Sequence, residues 1–429
     1  MHKLKFNLKF FLMLTIVINF TILGYAETPE DAPEYAMYSY YIKSKVYSKY
    51  LKVAERVPSK GFSEIHNVRV DDEPKGSDKS SILWRIYPLY ERDGNRYVAI
   101  ANVETGTLLH TDRTGTSYFE QANVEIKKTE TLPPKDWINS STVWRMVVHP
   151  VSKDCAFISQ CSGDEEAELA LTATEIEISD PDNHSFSHMN RKIKSFKVDV
   201  RIPPNPELYT DNQLWKIEEQ DQWVGPGPFT PETPEKPTMT ACNCGPHDPP
   251  PELIYLTERA WIPYFMVKDP RYPTYIHSKQ IRERPYYIME RYDIWYRIWC
   301  QINPTDGVGN SSSTEEYTTG CSIEKAKTFS ETTGISFTGG VDYKYNDIEF
   351  KYKINISHQL GFSETDTFKQ WNEERKSKTV SKEIPKKHAM AYYRYRYKFL
   401  LKDAKGKIVG DHLEVGDEQI ECYVDHECK

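Results

Sequence analysis

The chain lacks the short motifs that mark the best-known catalytic and nucleotide-binding sites. It has no G-x-S-x-G, no H-E-x-x-H, no P-loop and no G-x-G-x-x-G. Its carboxylates are scattered through an acidic chain, and no pair of them is singled out for acid–base chemistry. We therefore expect no enzyme activity and no cofactor.

Metal-ligand spacing is missing as well. Cys242-Asn243-Cys244 lies close to His247 and Asp248, but the paired C-x-x-C spacing of a zinc site is absent. His184 and His188 are four residues apart, and no third ligand is evident near them. The sequence therefore predicts disulfides at Cys242 and Cys244 and no metal site.

Only one apolar run has the length of a helix, and it lies at the N-terminus. Three lysines precede an apolar run over residues 10–24, and Gly24-Tyr25-Ala26 supplies a small-x-small cleavage site. The pattern predicts a signal peptide at residues 1–26 and a secreted protein. Because no second run follows, we expect the mature chain to leave the cell in soluble form.

The chain is also short of positive charge. Its net charge is −8, and loss of the leader's three lysines leaves 52 basic against 63 acidic residues, or −11. An acidic secreted protein is a poor candidate for nucleic-acid binding. Tyrosine and proline are abundant, at 29 and 27 residues, and helical periodicities are few, so mainly β structure is predicted.

Eight cysteines, an even number, fit an oxidising compartment. Short sequence separations favour local pairing, although the connectivity does not follow from the sequence. The candidate disulfides are Cys155–Cys161, Cys422–Cys428 and Cys300–Cys321.

Three tryptophan segments recur in the N-terminal half. Trp84, Trp144 and Trp215 are each followed by a cation and then by an aliphatic residue. They are 60 and 71 residues apart, which a compact unit accommodates if residues 115–136 and 181–210 carry loop insertions. Three similar four-strand units predict a barrel with pseudo-three-fold symmetry. We expect the three tryptophans to fill its core rather than to form a binding platform.

This repeat resembles the ricin-type β-trefoil. Gln213-Leu214-Trp215 matches the Q-x-W motif of that family, and the other two copies have lost the glutamine. The resemblance implies a β-trefoil over residues 36–223 that binds a receptor or a glycan, with sugar binding inferred from fold-level analogy alone. The proline-rich residues 224–252 have almost no apolar side chains and predict a semi-extended linker.

Residues 335–362 predict two long alternating strands joined by a tight turn at Asn346-Asp347. With this turn, the apolar residues of both arms share one face, and Lys344 lies opposite Glu349. The first arm spans roughly 35 Å at about 3.3 Å per residue, or about 25 Å when tilted, which is enough to cross a membrane. The apolar face comprises Ile335, Phe337, Val341, Tyr343, Tyr345, Ile348, Phe350, Tyr352, Ile354, Ile356, Leu360 and Phe362. The alternative is a long hairpin in an ordinary antiparallel sheet that has one solvent-exposed face.

Four stretches of the C-terminal half resemble the insecticidal crystal toxin family, which includes the two-component mosquitocidal toxins. They are residues 262–269, 284–295, 317–320 and 328–337. In that family a trefoil head precedes a pore-forming module, so the resemblance implies an elongated, aerolysin-like antiparallel β module over residues 253–429. The proline-rich linker and the high cysteine count depart from the family pattern.

The family resemblance also implies a role for the hairpin. In aerolysin-like modules a tucked hairpin lies between long exposed strands, here expected at residues 311–334 and 363–384, and refolds into a stave of a membrane barrel. Since edge N–H and C=O groups cannot stay unpaired in lipid, insertion requires a closed homo-oligomer. The implied partners are a target-cell membrane and a glycan or glycoprotein receptor, and the need for a second toxin component stays open.

Proteolytic activation is a further implication of the resemblance. Candidate cuts lie among Lys43, Lys45 and Lys49, and after Lys402, Lys405 or Lys407. The second group of cuts would remove a C-terminal tail that contains Cys422 and Cys428.

Three functions follow, in order of preference. The first is a secreted pore-forming toxin, expected to be insecticidal, that acts at the target-cell membrane after activation. The second is a secreted two-domain, lectin-like binding protein without pore activity. The third is an extracellular enzyme with a carbohydrate-binding trefoil, which has the least support because no catalytic site is evident.

Overall fold

The computed structural model describes most of the chain downstream of the expected leader. The described residues are 38–57, 65–76, 78–92, 94–112, 121–127, 141–160, 169–179, 192–201, 209–223, 229–272, 277–303, 309–335, 356–362 and 374–428. The predicted signal peptide, residues 1–26, lies outside them.

Twelve strands are described in the N-terminal half. They are β1 (Tyr38–Ser44), β2 (Tyr50–Val57), β3 (Ile65–Asp71), β4 (Leu83–Arg92), β5 (Asn95–Asn102), β6 (Leu109–Asp112), β7 (Gln121–Lys127), β8 (Val143–Val148), β9 (Cys155–Ser159), β10 (Leu169–Ser179), β11 (Lys192–Arg201) and β12 (Trp215–Gln222). Six of them pair in the closed order β1-β4-β5-β8-β9-β12, with β12 returning to β1, and form a barrel. Closure leaves this part of the sheet without free edges.

The other six strands form three hairpins, β2–β3, β6–β7 and β10–β11. Their second strands also pair with one another, β3 with β7, β7 with β11 and β11 with β3, and so make a triangular arrangement. A six-stranded barrel with three hairpins is the β-trefoil architecture that the repeat predicted.

The three tryptophans occupy equivalent positions in this trefoil. All three side chains are fully buried in one hydrophobic cluster. The indole N–H of Trp84 donates to the Leu51 carbonyl at 2.8 Å, that of Trp144 to Leu109 at 3.1 Å and that of Trp215 to Leu171 at 3.0 Å. Each bond ties the fourth strand of a unit to its hairpin, so each buried indole satisfies its one donor.

The C-terminal half is built from long antiparallel strands. Four of them, β13 (Glu252–Pro263), β14 (Tyr286–Asn303), β17 (His388–Asp403) and β18 (Leu413–Glu427), form a sheet in the order β13-β14-β17-β18. The strands β15 (Gly309–Thr319) and β16 (Glu374–Ile384) pair with each other. Two helices, α1 (His277–Glu283) and α2 (Ile323–Thr333), lie between strands. The 18 residues of β14 would reach roughly 60 Å at about 3.3 Å per residue, so the module is elongated as expected.

Helix α2 corrects the prediction of an exposed strand over residues 311–334. The strand ends at Thr319, and the Ser322 hydroxyl then accepts the Lys325 N–H as an N-cap. Gly334, with φ of +81°, ends the helix in the left-handed conformation, and its N–H donates to the Ser330 carbonyl. Both caps are visible in the sequence, but the Ser- and Thr-rich composition between them favoured a strand.

The disulfides differ from the predicted local pairs. Cys242 bonds to Cys428 and Cys244 to Cys300, with Cα atoms 5.2 and 5.5 Å apart. The two linker cysteines are therefore in disulfides, as predicted. The predicted pairs Cys422–Cys428 and Cys155–Cys161 are wrong, because Cys422 and Cys155 are free thiols, and Cys300–Cys321 is wrong, because Cys300 is bonded to Cys244. Cys161 itself lies outside the described residues.

Tertiary structure explains these long-range bonds. The linker returns along the far end of the four-stranded sheet, where the Arg297 guanidinium donates to the carbonyls of Gly245 and Pro249. This path brings Cys242 and Cys244 to the end of β18 and to β14, whereas Cys155 and Cys321 are buried at separate places.

Aromatic side chains join the two halves. Tyr87 of β4 packs against Tyr264, Phe265 and Tyr286, with ring centroids 5.0–5.7 Å apart. The Tyr264 hydroxyl donates to the Gly106 carbonyl at 2.8 Å, across the joint. One hydrophobic cluster therefore continues from the outer face of the barrel into the C-terminal sheet.

Candidate functional site

The predicted membrane-insertion segment, residues 335–362, is described only at its two ends. Ile335, Ile356, Leu360 and Phe362 are placed, and all four are buried in the cluster that joins the two halves. The other eight members of the predicted apolar face, with the turn residues, lie outside the described residues. They are Phe337, Val341, Tyr343, Tyr345, Ile348, Phe350, Tyr352 and Ile354, with Asn346 and Asp347 at the turn.

The prediction of a strand fails at the described C-terminal end of this segment. Residues 356–359 form a helical turn, in which the Leu360 N–H donates to the Ile356 carbonyl at 3.0 Å. The turn ends in a Schellman pattern, with Phe362 N–H donating to Ser357 and Gly361, at φ +74°, donating to His358. Burial of three apolar side chains of the turn in the core overrides the local alternation that predicted a strand.

The N-terminal end of the segment is fixed by α2. Ile335 directly follows the Gly334 cap, and its N–H donates to the Thr333 hydroxyl at 3.2 Å. The Thr333 carbonyl accepts the Lys268 N–H at 2.8 Å, and the Lys268 ammonium donates to the Glu331 carbonyl at 2.9 Å. The segment thus starts from a helix end that is bonded to the chain just after β13.

The C-terminal end is held by Arg291 of β14. Its Nη1 donates to the Leu360 carbonyl at 2.7 Å, and its guanidinium lies 4.6 Å from the Phe362 ring centroid and 4.5 Å from that of Tyr397. These are a charge-assisted hydrogen bond and two cation–π contacts. We call Arg291 and Asp293, with the contacts of Arg291 to Leu360, Phe362 and Tyr397, the Arg291 clamp.

Asp293 orients the guanidinium. Arg291 donates to both of its carboxylate oxygens, at 2.7 and 2.9 Å, and Asp293 also accepts from the Thr257 hydroxyl at 3.1 Å and the Tyr395 hydroxyl at 2.8 Å. Asp293 is 4% exposed, so its charge depends on these four donors. A buried carboxylate with this set of partners keeps Arg291 in one orientation.

Two further groups lie at the clamp. A Cβ atom built on Gly361 would lie 2.9 Å from Arg291 Nη1 and 3.3 Å from Glu258 Oε1, so only glycine fits there without displacement. Burial raises the pKa of Glu258 above its ordinary value, the Asp293 charge adds to that rise, and the Arg291 charge opposes it.

Sequence reasoning missed the clamp. Arg291 and Asp293 are two residues apart on one strand and therefore share a face, which is a visible signal. Arg291, however, donates to a carbonyl 69 residues further along the chain, and no local pattern predicts that contact.

The predicted activation lysines have different surroundings. Lys402 lies within β17, where its ammonium is bonded to the Glu290 carboxylate at 2.5 Å and to the Tyr292 hydroxyl at 2.8 Å. Lys405 and Lys407 are exposed in the turn between β17 and β18. The residues after this turn do not form a loose tail, because β18 pairs with β17 and Cys428 is bonded to Cys242.

Among the described residues, no three His, Cys, Asp or Glu side chains come together as metal ligands. None of the helices within the described ranges has both the length and the apolar character needed to cross a membrane.

Residues 255–395 match the family model described as Insecticidal Crystal Toxin, P42. They contain most of β13, all of β14, the predicted insertion segment, and Arg291 and Asp293 of the Arg291 clamp. This part of the chain is therefore similar to the insecticidal crystal toxin family. The match supports the prediction, made from the family resemblance, that this protein is a toxin. Comparison with curated protein sequences found no match.

One solved structure aligns with most of the chain. The crystal structure of Cry35Ab1 aligns with a TM-score of 0.57 and 13% identity, over 91% of this chain and 90% of that chain. At this identity the likeness shows the fold alone, which in this chain is a trefoil followed by an elongated β module. Two others align with less than half of the chain. The SDF2-like protein from Arabidopsis thaliana has a TM-score of 0.28 and 10% identity over 42% of this chain and 92% of its own. The earthworm lectin C-terminal domain mutant in complex with 6'-sialyllactose has a TM-score of 0.22 and 18% identity, over 43% of this chain and 99% of its own.

Proposed function

We propose that this protein is a secreted pore-forming toxin. Its β-trefoil binds the surface of a target cell through a glycan or glycoprotein receptor, its C-terminal module forms a homo-oligomer, and residues 335–362 insert as a β-hairpin of a membrane barrel. The observation that carries the proposal is the environment of that segment. A stretch with membrane-strand alternation is tied to the core at both ends by a capped helix and by the Arg291 clamp.

The described C-terminal end of the segment suits both a helical turn in the core and a strand in a membrane. In the present structure Ile356, Leu360 and Phe362 turn inward from a helical turn. All three have even numbers, and in an extended strand residues of one parity face one side. Conversion of the turn to a strand would therefore place them on the same face as Ile354 and the rest of the even-numbered apolar set.

The polar contacts at the clamp suit a segment that leaves the core. When Leu360 and Phe362 depart, Arg291 keeps its bidentate pairing with Asp293, and the freed Nη1 can be solvated. Release therefore loses the hydrogen bond to Leu360 and the two ring contacts, but does not leave a buried charge without a partner.

Membrane burial can offset the loss of core packing. The apolar face has twelve large side chains, and relative to water their burial in lipid is favourable by roughly 1.5–3 kcal/mol each, or tens of kcal/mol in total. For Ile335, Ile356, Leu360 and Phe362, which are already buried, lipid contact replaces the core packing that is lost. A single hairpin would leave its edge N–H and C=O groups unpaired in lipid, at several kcal/mol each. Insertion is therefore favourable only in a closed ring of subunits, which is the reason for the homo-oligomer.

The strands β15 and β16 supply polar flanks for such a hairpin. They pair over eleven residues each, in a register that sets Glu315 opposite Lys378 and Glu316 opposite Ser377. Eleven residues span roughly 36 Å at about 3.3 Å per residue. In the proposed pore these strands continue the hairpin into water, and α2, which lies between β15 and the segment, must unfold first.

Dye release from liposomes tests the proposal. Mature protein, residues 27–429, should release dye after limited trypsin treatment, and Ile354→Asp should abolish release because it places a charge on the lipid face. Asn355→Asp, one residue away on the proposed lumen face, is the matched control and should retain release. Lack of release on vesicles that contain target-membrane extract would contradict pore formation.

The alternative is a lectin-like binding protein in which the segment never leaves the core. Core burial of the four described end residues favours it as a second candidate. Under this alternative Ile354→Asp would impair folding or cell binding, whereas the pore proposal expects both to be retained with loss of membrane damage alone. We propose no enzymatic activity.

A further inference from the structure

A cavity of about 490 Å³ lies where the trefoil meets the C-terminal half. Its wall comes from β1, β4 and β12, the first, fourth and last strands of the trefoil, from residues 78–80 before β4, from Val103 and Trp223, and from Arg282 of α1. The volume is within the range of about 300–1,000 Å³ that is typical of small-molecule sites. The cavity is separate from the Arg291 clamp and from the predicted insertion segment.

Arg85 of β4 is the unusual residue of this wall. Its side chain follows Trp84 on the strand and points away from the barrel core toward the cavity, and the residue is only 7% exposed. Its Nε and Nη1 atoms are buried without a hydrogen-bond partner, and among the described residues no carboxylate pairs with it.

The pseudo-three-fold symmetry provides two internal comparisons. Arg145 follows Trp144 and its Nη1 donates to the Asn95 side chain at 3.4 Å, while Lys216 follows Trp215 and pairs with Glu218 at 2.9 Å. Both are more exposed than Arg85. The cation that recurs after each tryptophan is therefore satisfied locally in two units, and in the first unit it is buried beside a cavity.

A buried guanidinium without a partner is costly. Arginine stays protonated at any relevant pH, so it cannot relieve the cost by losing its charge, as a lysine could. The usual resolution is an anion that accepts from the planar N–H groups, most favourably a carboxylate or phosphate in bidentate geometry.

The remaining wall favours a sugar over a bare anion. The aromatic side chains of Tyr41 and Trp223 and the amides of Gln220 and Gln222 line the cavity. Aromatic faces bind the apolar face of a ring, and side-chain amides donate to and accept from hydroxyl groups. Trp223 is also packed against Trp261 and Tyr286, with ring centroids 6.2 Å away in each case, so this surface is already in place.

The charges of the wall are compatible with one carboxylate. Asp78 and Asp221 line the cavity with Lys79, Arg85 and Arg282. The Asp78 carboxylate already accepts the Ser80 N–H at 3.0 Å, and Lys79 is paired with Glu73. The two acidic side chains disfavour a highly charged ligand, and Arg85 selects for a single negative group.

We propose that this cavity binds an acidic saccharide, with the sugar carboxylate on Arg85 and the ring against the aromatic wall. The inference deepens the proposed receptor-binding role of the trefoil and rests on it for its biological meaning. It also assigns the binding site to the joint between the two halves, on the outer face of β4.

Calorimetry on mature full-length protein tests the site. The probes are glucuronic, galacturonic and N-acetylneuraminic acids, their neutral counterparts glucose and galactose, and inorganic phosphate. We expect at least one acidic sugar to bind, and Arg85→Met to weaken that binding by about tenfold or more. The matched variants Arg145→Met and Lys216→Met, at the equivalent positions of the other two units, should bind as the parent protein does.

Several results would overturn the assignment. They are absence of binding by all three acidic sugars, equal binding of phosphate or of a neutral sugar, and an equal loss in the Arg145 variant. Thermal unfolding without ligand gives a second readout, because removal of an unpaired buried charge should leave Tm unchanged or raise it. A marked fall of Tm in Arg85→Met would instead show that the guanidinium has a structural partner. None of these measurements depends on membrane insertion, so a failed sugar site and a failed pore are distinguishable.

Discussion

Loss of the Arg291 side chain should loosen the end of the predicted insertion segment before it unfolds the protein. Arg291→Met leaves the Asp293 carboxylate, 4% exposed, with only the Thr257 and Tyr395 hydroxyls as donors. Removal of one partner of a buried ion pair costs about 3–5 kcal/mol. Because two donors remain on the carboxylate, the cost should lie near the lower end of this range, and we expect the free energy of unfolding to fall by about 3 kcal/mol.

A double variant separates the charge from the contact with the segment. In Arg291→Met with Asp293→Asn, no unpaired charge remains, and the loss reduces to the hydrogen bond to the Leu360 carbonyl and the two ring contacts. A hydrogen bond from a charged group contributes about 1.5–3 kcal/mol. Lys327→Met, which breaks the exposed pair with Glu331, is the control and should change stability by less than about 0.5 kcal/mol.

Denaturant unfolding gives these free energies, and hydrogen exchange locates the opening. Amide exchange in residues 356–362 should accelerate in both Arg291 variants, while exchange in the barrel strands of the trefoil stays unchanged. Trypsin-activated dye release should also need less protein. A destabilisation below about 1 kcal/mol, with unaltered exchange at residues 356–362, would refute the role of the clamp.

Three further predictions concern other contacts. Gly361→Ala should destabilise the protein more than Gly406→Ala in thermal unfolding. Both glycines have φ near +75°, where a Cβ atom costs about 1–2 kcal/mol, but only at Gly361 would that atom also lie at short range from Arg291. Equal effects of the two substitutions would argue against that contact. Trypsin cleavage after Lys405 should leave the C-terminal fragment attached through Cys242–Cys428, so mass spectrometry should detect a separate fragment only after reduction. Because burial raises the pKa of Glu258, the folded protein binds this proton more tightly than the unfolded chain, and stability should fall as pH rises from the ordinary value of 4.5 through the folded-state pKa. Glu258→Gln should remove that part of the pH dependence of unfolding.

The trefoil was predictable because its signals are local and repeated. Trp84, Trp144 and Trp215 recur with the same following residue types, and a repeat of four-strand units has few ways to bury three large aromatic side chains. Their common hydrogen bonds to hairpin carbonyls explain why the tryptophan is kept when the preceding glutamine is lost in two of the units.

The cystine pattern was not predictable, because the partners depend on tertiary structure. Cys242 and Cys428 are 186 residues apart and meet only since the linker returns along the sheet. Short spacing misled the prediction for Cys422 and Cys428, whose places along β18 and just beyond it are set by pairing with β17.

The ends of the insertion segment show the same limit. Alternation through Ile356, Leu360 and Phe362 is real, but in the present structure core packing and the Gly361 cap select a helical turn. A sequence that suits two environments does not reveal which one it occupies. The contact with Arg291 helps to hold the helical turn in the core, and it joins parts of the chain that no local pattern connects.

The most direct test of pore formation is an environment-sensitive dye attached in turn to cysteines at positions 352, 353, 354 and 355. After activation on liposomes, we expect blue-shifted emission from the dye at 352 and 354, which belong to the even-numbered apolar face, and water-like emission at 353 and 355. Uniform emission at all four positions, or emission that does not change when membranes are added, would contradict insertion of this segment as a β-strand.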